Sequence, residues 1–524
     1  MTIIYNRVPL DWQDESKGMI PISVARLPAS KTPRKGYMFY NPGGPGLPGT
    51  EFVQNRGSIL RKQLGEDWDI ISWDPRGVLN SGPTLKMFAS DNEYDKFWGQ
   101  LDGPGNYNTH GNLTTPEDAQ FFLSQAGKFN NMTVTFTNQT LQQNGEHLKY
   151  VGTCAVVRDL VFLVDSLYGA GSDVNFWGIS YGSAVGFYLT QMFPDRVGKV
   201  ILDGVYDAEK HATLTPMKWL EQDYKTVEAA LTKWTEACAE SGRNGPCRFS
   251  AVGNAKPAEI MSKIQQILNT AYRIYDGTPL TISSLATVGP ISQSNPRRWS
   301  YEYLIRLIRA GLYNQETWAD LSSILNTMLS LQAGVSSKEV EIPIQLLTHG
   351  PFLYGYIPSY ILSYSTFAIF CSDVIDSQGE TTQELFNSTV QAAQTVSSNF
   401  AHLTPSQSMR SFCHQWKARA VERLSAPMNK KPKNVVLVIG NTGDPITPYE
   451  SAQRIASSAL LGTQARLVKF DTVGHSSFSG ASSCIDNVVR NYLNGNPPKD
   501  SGNDNEDVAC TVSQTVFGNK PSSW

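Results

Sequence analysis

Val174-Asn175-Phe176-Trp177-Gly178-Ile179-Ser180-Tyr181-Gly182-Ser183-Ala184-Val185-Gly186-Phe187-Tyr188 decides the fold. The first residues form a short apolar run of the kind that fills a buried strand. The last six carry a helical apolar pattern. Between them lies G-x-S-x-G, with glycine on each side of the central triplet. Those five letters alone recur by chance in about one chain of this length in five. Strand, tight turn and helix in immediate succession are far more restrictive. Such a turn needs positions nearly free of side chain, which Gly178 and Gly182 supply. It would project the Ser180 hydroxyl above the sheet and leave the Tyr181 amide at a helix start, where it can donate to an oxyanion. The bland alternative is an ordinary glycine-rich turn.

Working outward, strands are expected at Ile22–Leu27, Tyr37–Tyr40, Trp68–Trp73, Val174–Gly178, Val200–Leu202, Val435–Ile439 and Arg466–Phe470. Helical patterns at Cys154–Leu167, Ser183–Met192 and Tyr449–Leu460 alternate with them. That alternation predicts an α/β fold with a mostly parallel sheet and helices on both faces. It stops after Asp203 and resumes at Asn434. Between them the pattern is helical, as in Met217–Ala239, Ala258–Ile274 and Tyr301–Leu312. The expected organisation is a core over 1–206, a helical cap inserted over 207–430, and the rest of the core over 431–524.

A serine hydroxyl needs a base to take its proton. Of the seven histidines, His110 lies in a sequon-rich stretch, and His147, His211, His349, His402 and His414 follow no suitably placed strand. His475 follows the last strand, in Val473-Gly474-His475-Ser476. Asp444 follows the preceding one, in Gly440-Asn441-Thr442-Gly443-Asp444-Pro445. Loops after strand C-termini are where such sheets hold catalytic groups. The order Ser, Asp, His is the order of α/β hydrolases. Asp471 is the rival to Asp444, four residues before the histidine, and Asp444 could also be a mere helix cap. Asn41-Pro42-Gly43-Gly44-Pro45-Gly46 follows another strand and is almost bare of side chains. Gly43 or Gly44 could therefore supply a second oxyanion amide beside Tyr181. Asp74-Pro75-Arg76-Gly77 reads as structural, with Arg76 tying neighbouring loops.

These segments together resemble the α/β-hydrolase peptidases of the proline iminopeptidase and tripeptidyl aminopeptidase group, closest to the tripeptidyl branch. The resemblance rests on NPGGPG, WDPRG, GISYG with VILDGV, AIFCSD at Ala368–Asp373, GDPITPYESA at Gly443–Ala452, VGHSSF and the tail from Cys484 to Cys510. Asn41 and Tyr181 stand where iminopeptidases usually have His and Trp. The resemblance implies Ser180, Asp444 and His475 as catalytic residues, a helical cap, and cleavage near a free peptide N-terminus. It also implies the pairs Cys238–Cys247, Cys371–Cys413 and Cys484–Cys510, with Cys154 left as a buried thiol. An aminopeptidase must hold an ammonium, and burying one without a partner is costly. Glu221, Asp223 and Asp373 are candidates for that role, against the plainer reading of solvated or capping charges.

The remaining features set boundaries. A net charge of −3 on 524 residues argues against nucleic acid or an anionic membrane as partner. No 18-residue apolar run is present, and Phe352–Phe370 reads as buried rather than membrane-spanning. No metal cluster, phosphate loop or nucleotide fingerprint stands out, so no cofactor is expected. Sequons at Asn112, Asn131, Asn138 and Asn387, three of them in a polar stretch read as a glycosylated surface loop, join the cysteines in favouring an extracellular setting. Against that setting, the stretch Met1–Trp12 does not read as a signal peptide, as expected of a mature or trimmed form. The expected function is a secreted serine exopeptidase acting through an acyl-enzyme. An esterase, lactonase or amidase for a small secondary metabolite is the alternative, and a non-catalytic binding protein a third. The pattern does not fix the oligomeric state.

Overall fold

The computed structural model describes all residues except 89, 99–112, 220–221, 243–244, 252–254, 275–300, 333–358, 402–409, 503–505, 514–516 and 518–524. Nine strands form one sheet: β1 Thr2–Pro9, β2 Met19–Leu27, β3 Gly36–Asn41, β4 Trp68–Trp73, β5 Val174–Ile179, β6 Val197–Asp203, β7 Val436–Gly443, β8 Ala465–Val473 and β9 Val508–Thr511. Their order is β1-β2-β4-β3-β5-β6-β7-β8-β9. Pairing is parallel from β4 to β9 and antiparallel at β1–β2 and β2–β4. This is the α/β-hydrolase fold.

Alternate strand residues feed two cores, as strand geometry requires. Trp177, Ile201, Leu437 and Val468 pack with helix α1 (Gly49–Leu64) and the last helix (Ser483–Leu493) on one face. Phe176, Val200, Val438 and Leu467 join a larger core on the other. There the covering helices include Thr153–Tyr168, Tyr181–Met192 and Tyr449–Ala456. Continuous apolar runs in the central strands follow from burial on both faces. Between Asp203 and Val436 every regular element among the described residues is helical, including Gln222–Glu240, Pro257–Ile274, Tyr301–Gly311, Trp318–Gln332, Ser359–Asp373 and Thr382–Thr395.

Disulfides join Cys238 to Cys247, Cys371 to Cys413 and Cys484 to Cys510, and Cys154 is a buried free thiol. Arg76 is fully buried; its guanidinium pairs with Asp159 at 2.6 Å and donates to the carbonyls of Pro9, Leu10 and Tyr150. It thus ties the first strand to two later segments. Among the described residues no helix is long and apolar enough to cross a membrane. From Ser359 the Phe352–Phe370 stretch is helix, with Ala368, Ile369 and Phe370 buried; 352–358 lie outside the described residues.

Three expectations need correction. The sequon-rich stretch is not a loop where it is described: Pro116–Ser124 and Ala126–Asn144 are helices. Phe129, Met132, Phe136 and Thr140 recur at helical spacing and are buried; Asn131 and Asn138, seven apart, face out. Asn112 lies outside the described residues. The first strand, β1, and the last, β9, were absent from the expected set. The Tyr449 helix ends at Ala456 rather than Leu460.

Candidate active site

The register of the sheet brings the candidate residues together. Asn41 pairs with Gly178, Ile179 with Asp203, and Asp203 with Ile439. The chain segments that leave these strand ends therefore emerge side by side. Gly443 pairs with Val473, so Asp444 and His475, one and two residues further on, leave the sheet as neighbours.

Ser180 occupies the turn between β5 and the helix Tyr181–Met192, with φ 58° and ψ −125°. A side chain in that region is strained by about 1–3 kcal/mol. The glycines around it have no room for a Cβ: one on Gly178 would lie 2.0 Å from the Gly182 carbonyl oxygen, and one on Gly182 2.4 Å from that of Asn41. The Ser180 N–H donates to Asp203 O at 2.9 Å. The next residue, Gly204, abuts the candidate base, since a Cβ there would lie 3.2 Å from His475 Cε1. Ser180 and the Cε1 edge of the imidazole thus flank the end of β6.

His475 Nδ1 bonds both Asp444 carboxylate oxygens, at 2.9 and 3.0 Å. Both residues are buried, and no group among the described residues bonds Nε2. Asp444 also accepts from the N–H groups of Ile446, Thr447 and Ser476 at 2.8, 2.9 and 3.1 Å, and from Thr447 Oγ1 at 2.9 Å. So many donors hold the carboxylate in a fixed orientation. The rival Asp471 points elsewhere, bonding Thr442 Oγ1 at 2.7 Å and Lys233 Nζ at 3.1 Å.

The glycine loop approaches from the far side: a Cβ on Gly43 would lie 2.8 Å from Ser180 Cβ and 3.0 Å from the Tyr181 nitrogen. The Gly43 N–H donates to Asn41 Oδ1 at 2.9 Å, so Gly44 is the better candidate for an oxyanion amide.

Several supports went unread in the sequence. Asp203, the buried end of β6, accepts from Ser477 N at 2.8 Å, Ser477 Oγ at 2.5 Å and Trp177 Nε1 at 3.2 Å, and burial pushes its carboxyl up to about 6. Asn441 Nδ2 donates to the carbonyls of Gly474 and Ser476 at 2.8 and 2.6 Å, closing the histidine loop. Tyr313 O, from the helical insertion, accepts the His475 N–H. Polar residues near strand ends are the signal for the first two; Tyr313 has none in its local sequence.

The proposed amine ligands are not brought together here. Asp373 is 1 % exposed and bonds the Thr153 backbone N–H and hydroxyl, and burial raises its carboxyl to about 7. It is enclosed beneath the turn and not open to a substrate amine. Glu221 and the side chain of Asp223 lie outside the described residues.

The family described as the α/β-hydrolase fold matches residues 38–252, and that described as TAP-like protein matches 399–510. The chain is an α/β hydrolase of the TAP-like group. This α/β hydrolase is similar to serine protease Hip1 of Mycobacterium tuberculosis, at 24% identity over 94% of this chain and 85% of that one. It is similar to carboxylesterase B of the same organism, at 26% over 94% and 84%, and to tripeptidyl aminopeptidase of Streptomyces lividans, at 26% over 39% and 35%. Two of these relatives are named as peptidases, one of them a serine protease, and the third as an esterase.

Proposed function

We propose that the protein is a secreted serine exopeptidase that releases residues or short peptides from free peptide N-termini. Ser180 Oγ attacks the scissile carbonyl carbon while His475 Nε2 takes its proton. The tetrahedral oxyanion is held by the N–H groups of Tyr181 and Gly44. Asp444 fixes the Nδ1–H tautomer and stabilises the imidazolium. The imidazolium then protonates the leaving amine, and water attacks the acyl-enzyme by the same steps in reverse roles. The observation that carries this reading is the buried Asp444–His475 pair, whose Nε2 has no partner among the described residues, together with the strained turn at Ser180.

The insertion over 207–430 would act as the cap that restricts access to chain ends. Glu221 and Asp223 are the remaining candidates to hold the substrate ammonium. The disulfides, with exposed Asn131, Asn138 and Asn387 as glycan acceptors, favour an extracellular setting.

The likeness to carboxylesterase B favours an esterase as the second reading, since the same site serves ester chemistry. Hydrolysis of free and N-acetylated tripeptide anilides, beside short-chain p-nitrophenyl esters, separates the two. An aminopeptidase cleaves only the free anilides efficiently. Ester turnover without anilide turnover, or equal rates on both anilides, overturns the peptidase reading.

A further inference from the structure

The residue after the candidate nucleophile has a side chain with no part in the chemistry, yet it is held with care. Tyr181 is 3 % exposed. Its phenol oxygen makes a short hydrogen bond to Thr153 Oγ1, and Thr153 Oγ1 makes another to Asp373 Oδ2. The Thr153 N–H donates to Asp373 Oδ1 at 2.9 Å. A hydroxyl has one proton to give. With Asp373 ionised the direction is fixed: the Tyr181 O–H donates to Thr153, and the Thr153 O–H donates to the carboxylate.

The three residues come from three elements. Tyr181 opens the helix after the Ser180 turn. Thr153 opens the helix Thr153–Tyr168, whose N-cap, Gly152, offers no side-chain cap. Asp373 is the last residue of Ser359–Asp373, in the helical insertion. The insertion therefore supplies the missing cap and, through it, grips the phenol. The approach has no slack, since a Cβ on Gly152 would lie 2.8 Å from Asp373 Oδ1. All three residues are at most 3 % exposed, and a buried carboxylate is costly unless it is hydrogen-bonded, as Asp373 is by the Thr153 N–H and hydroxyl.

We propose that Asp373 and Thr153 are positioning residues which, by anchoring the Tyr181 phenol, fix the Tyr181 N–H where the oxyanion forms. The oxyanion site is thereby completed only when the insertion is docked on the core. This rests on the reading of Ser180 as nucleophile and Tyr181 N as donor. An aligned donor is worth far more than a misaligned one in a water-poor site. Loosening the phenol lets the turn relax toward less strained dihedrals and draws the amide off line.

The test uses the full chain and its best anilide or ester substrate, with thermal melts confirming that each variant is folded. Tyr181→Phe, which removes one oxygen, and Thr153→Val should each lower kcat by roughly 5- to 20-fold, less than outright loss of an oxyanion donor, with KM changed less than about twofold. Thr153→Ser keeps the hydroxyl and should retain most of kcat. The Tyr181→Phe/Thr153→Val double variant should be no slower than the worse single one, because both cut one chain. Folded Tyr181→Phe with wild-type kcat, losses confined to KM, or losses that multiply in the double variant would overturn the proposal. Ser180→Ala run alongside separates the two levels. If it abolishes turnover while Tyr181→Phe is harmless, the anchoring fails and the nucleophile stands; if it leaves turnover intact, both fail.

Discussion

The backbone N–H of His475 donates to the carbonyl oxygen of Tyr313 at 2.8 Å, and the Tyr313 ring meets the imidazole edge-on with centroids 4.8 Å apart. A residue of the helical insertion thus holds the candidate base from outside the sheet. Gln315 reinforces the contact, its Nε2 donating to Thr472 Oγ1 at 2.5 Å and Val473 O at 2.9 Å. Tyr313→Ala removes the ring while leaving the carbonyl. It should lower kcat by about tenfold, since a mis-set base loses much of a proton-transfer advantage of about 100- to 10,000-fold. Steady-state kinetics on the folded variant check this; an unchanged kcat would make the contact merely structural.

Asp444 and Asp471 make opposite predictions. Asp444→Asn loses the charge that sets the His475 tautomer and should cost on the order of 10,000-fold in kcat. Asp471→Asn alters an exposed bond to Thr442 and Lys233 and should change kcat less than about twofold. Comparable losses in the two variants would contradict the assignment.

How much of this was legible in the sequence depends on where the information lies. The strand–turn–helix around Ser180 is local, and so it was readable from consecutive letters. So were the loops of Asp444 and His475, because each follows a β-branched strand. β1 was not: Asn6 and Arg7 cut its apolar run to Ile3–Tyr5, and Ile3 and Tyr5 are exposed rather than core. β9 is only four residues, Val508–Thr511, and gains its place from pairing with β8 and from the disulfide at Cys510. The Asn/Thr-rich helix Ala126–Asn144 hid its apolar stripe because buried threonines fill part of it. Asp373 was a candidate amine ligand as a carboxylate of the helical insertion. Its true neighbours, Thr153 and, through it, Tyr181, are about 200 residues away in the chain, a distance no local pattern spans.

Arg76 is the main buried cation of the core. Arg76→Ala would strand the Asp159 carboxylate and three backbone carbonyls, at a cost of about 3–5 kcal/mol. Arg76→Lys should recover little, because lysine lacks the fork that reaches Asp159 through two nitrogens. Denaturant unfolding of the three proteins checks both statements; a loss near 1 kcal/mol for Arg76→Ala would contradict them.

Asp203 predicts a pH dependence of stability. Burial raises its folded-state value to about 6 from an ordinary 3.8. The group therefore binds its proton more tightly in the folded state. Its contribution is full below about pH 4 and is lost as pH rises through about 6. Between pH 5 and 8 the wild type should lose roughly 1 kcal/mol relative to Asp203→Asn. Parallel thermal or denaturant unfolding at the two pH values would show it, and a difference of opposite sign would contradict the assigned cause.

The central claim is that the hydroxyl of Ser180 becomes the nucleophile because His475 and Asp444 converge on it. Reaction with a fluorophosphonate, followed by mapping of the adduct by mass spectrometry, tests this most directly. The account predicts one adduct, on Ser180, formed at a rate that falls by orders of magnitude in His475→Ala and in Asp444→Asn. An adduct on another residue, or catalytically active protein that leaves Ser180 unmodified, would contradict it.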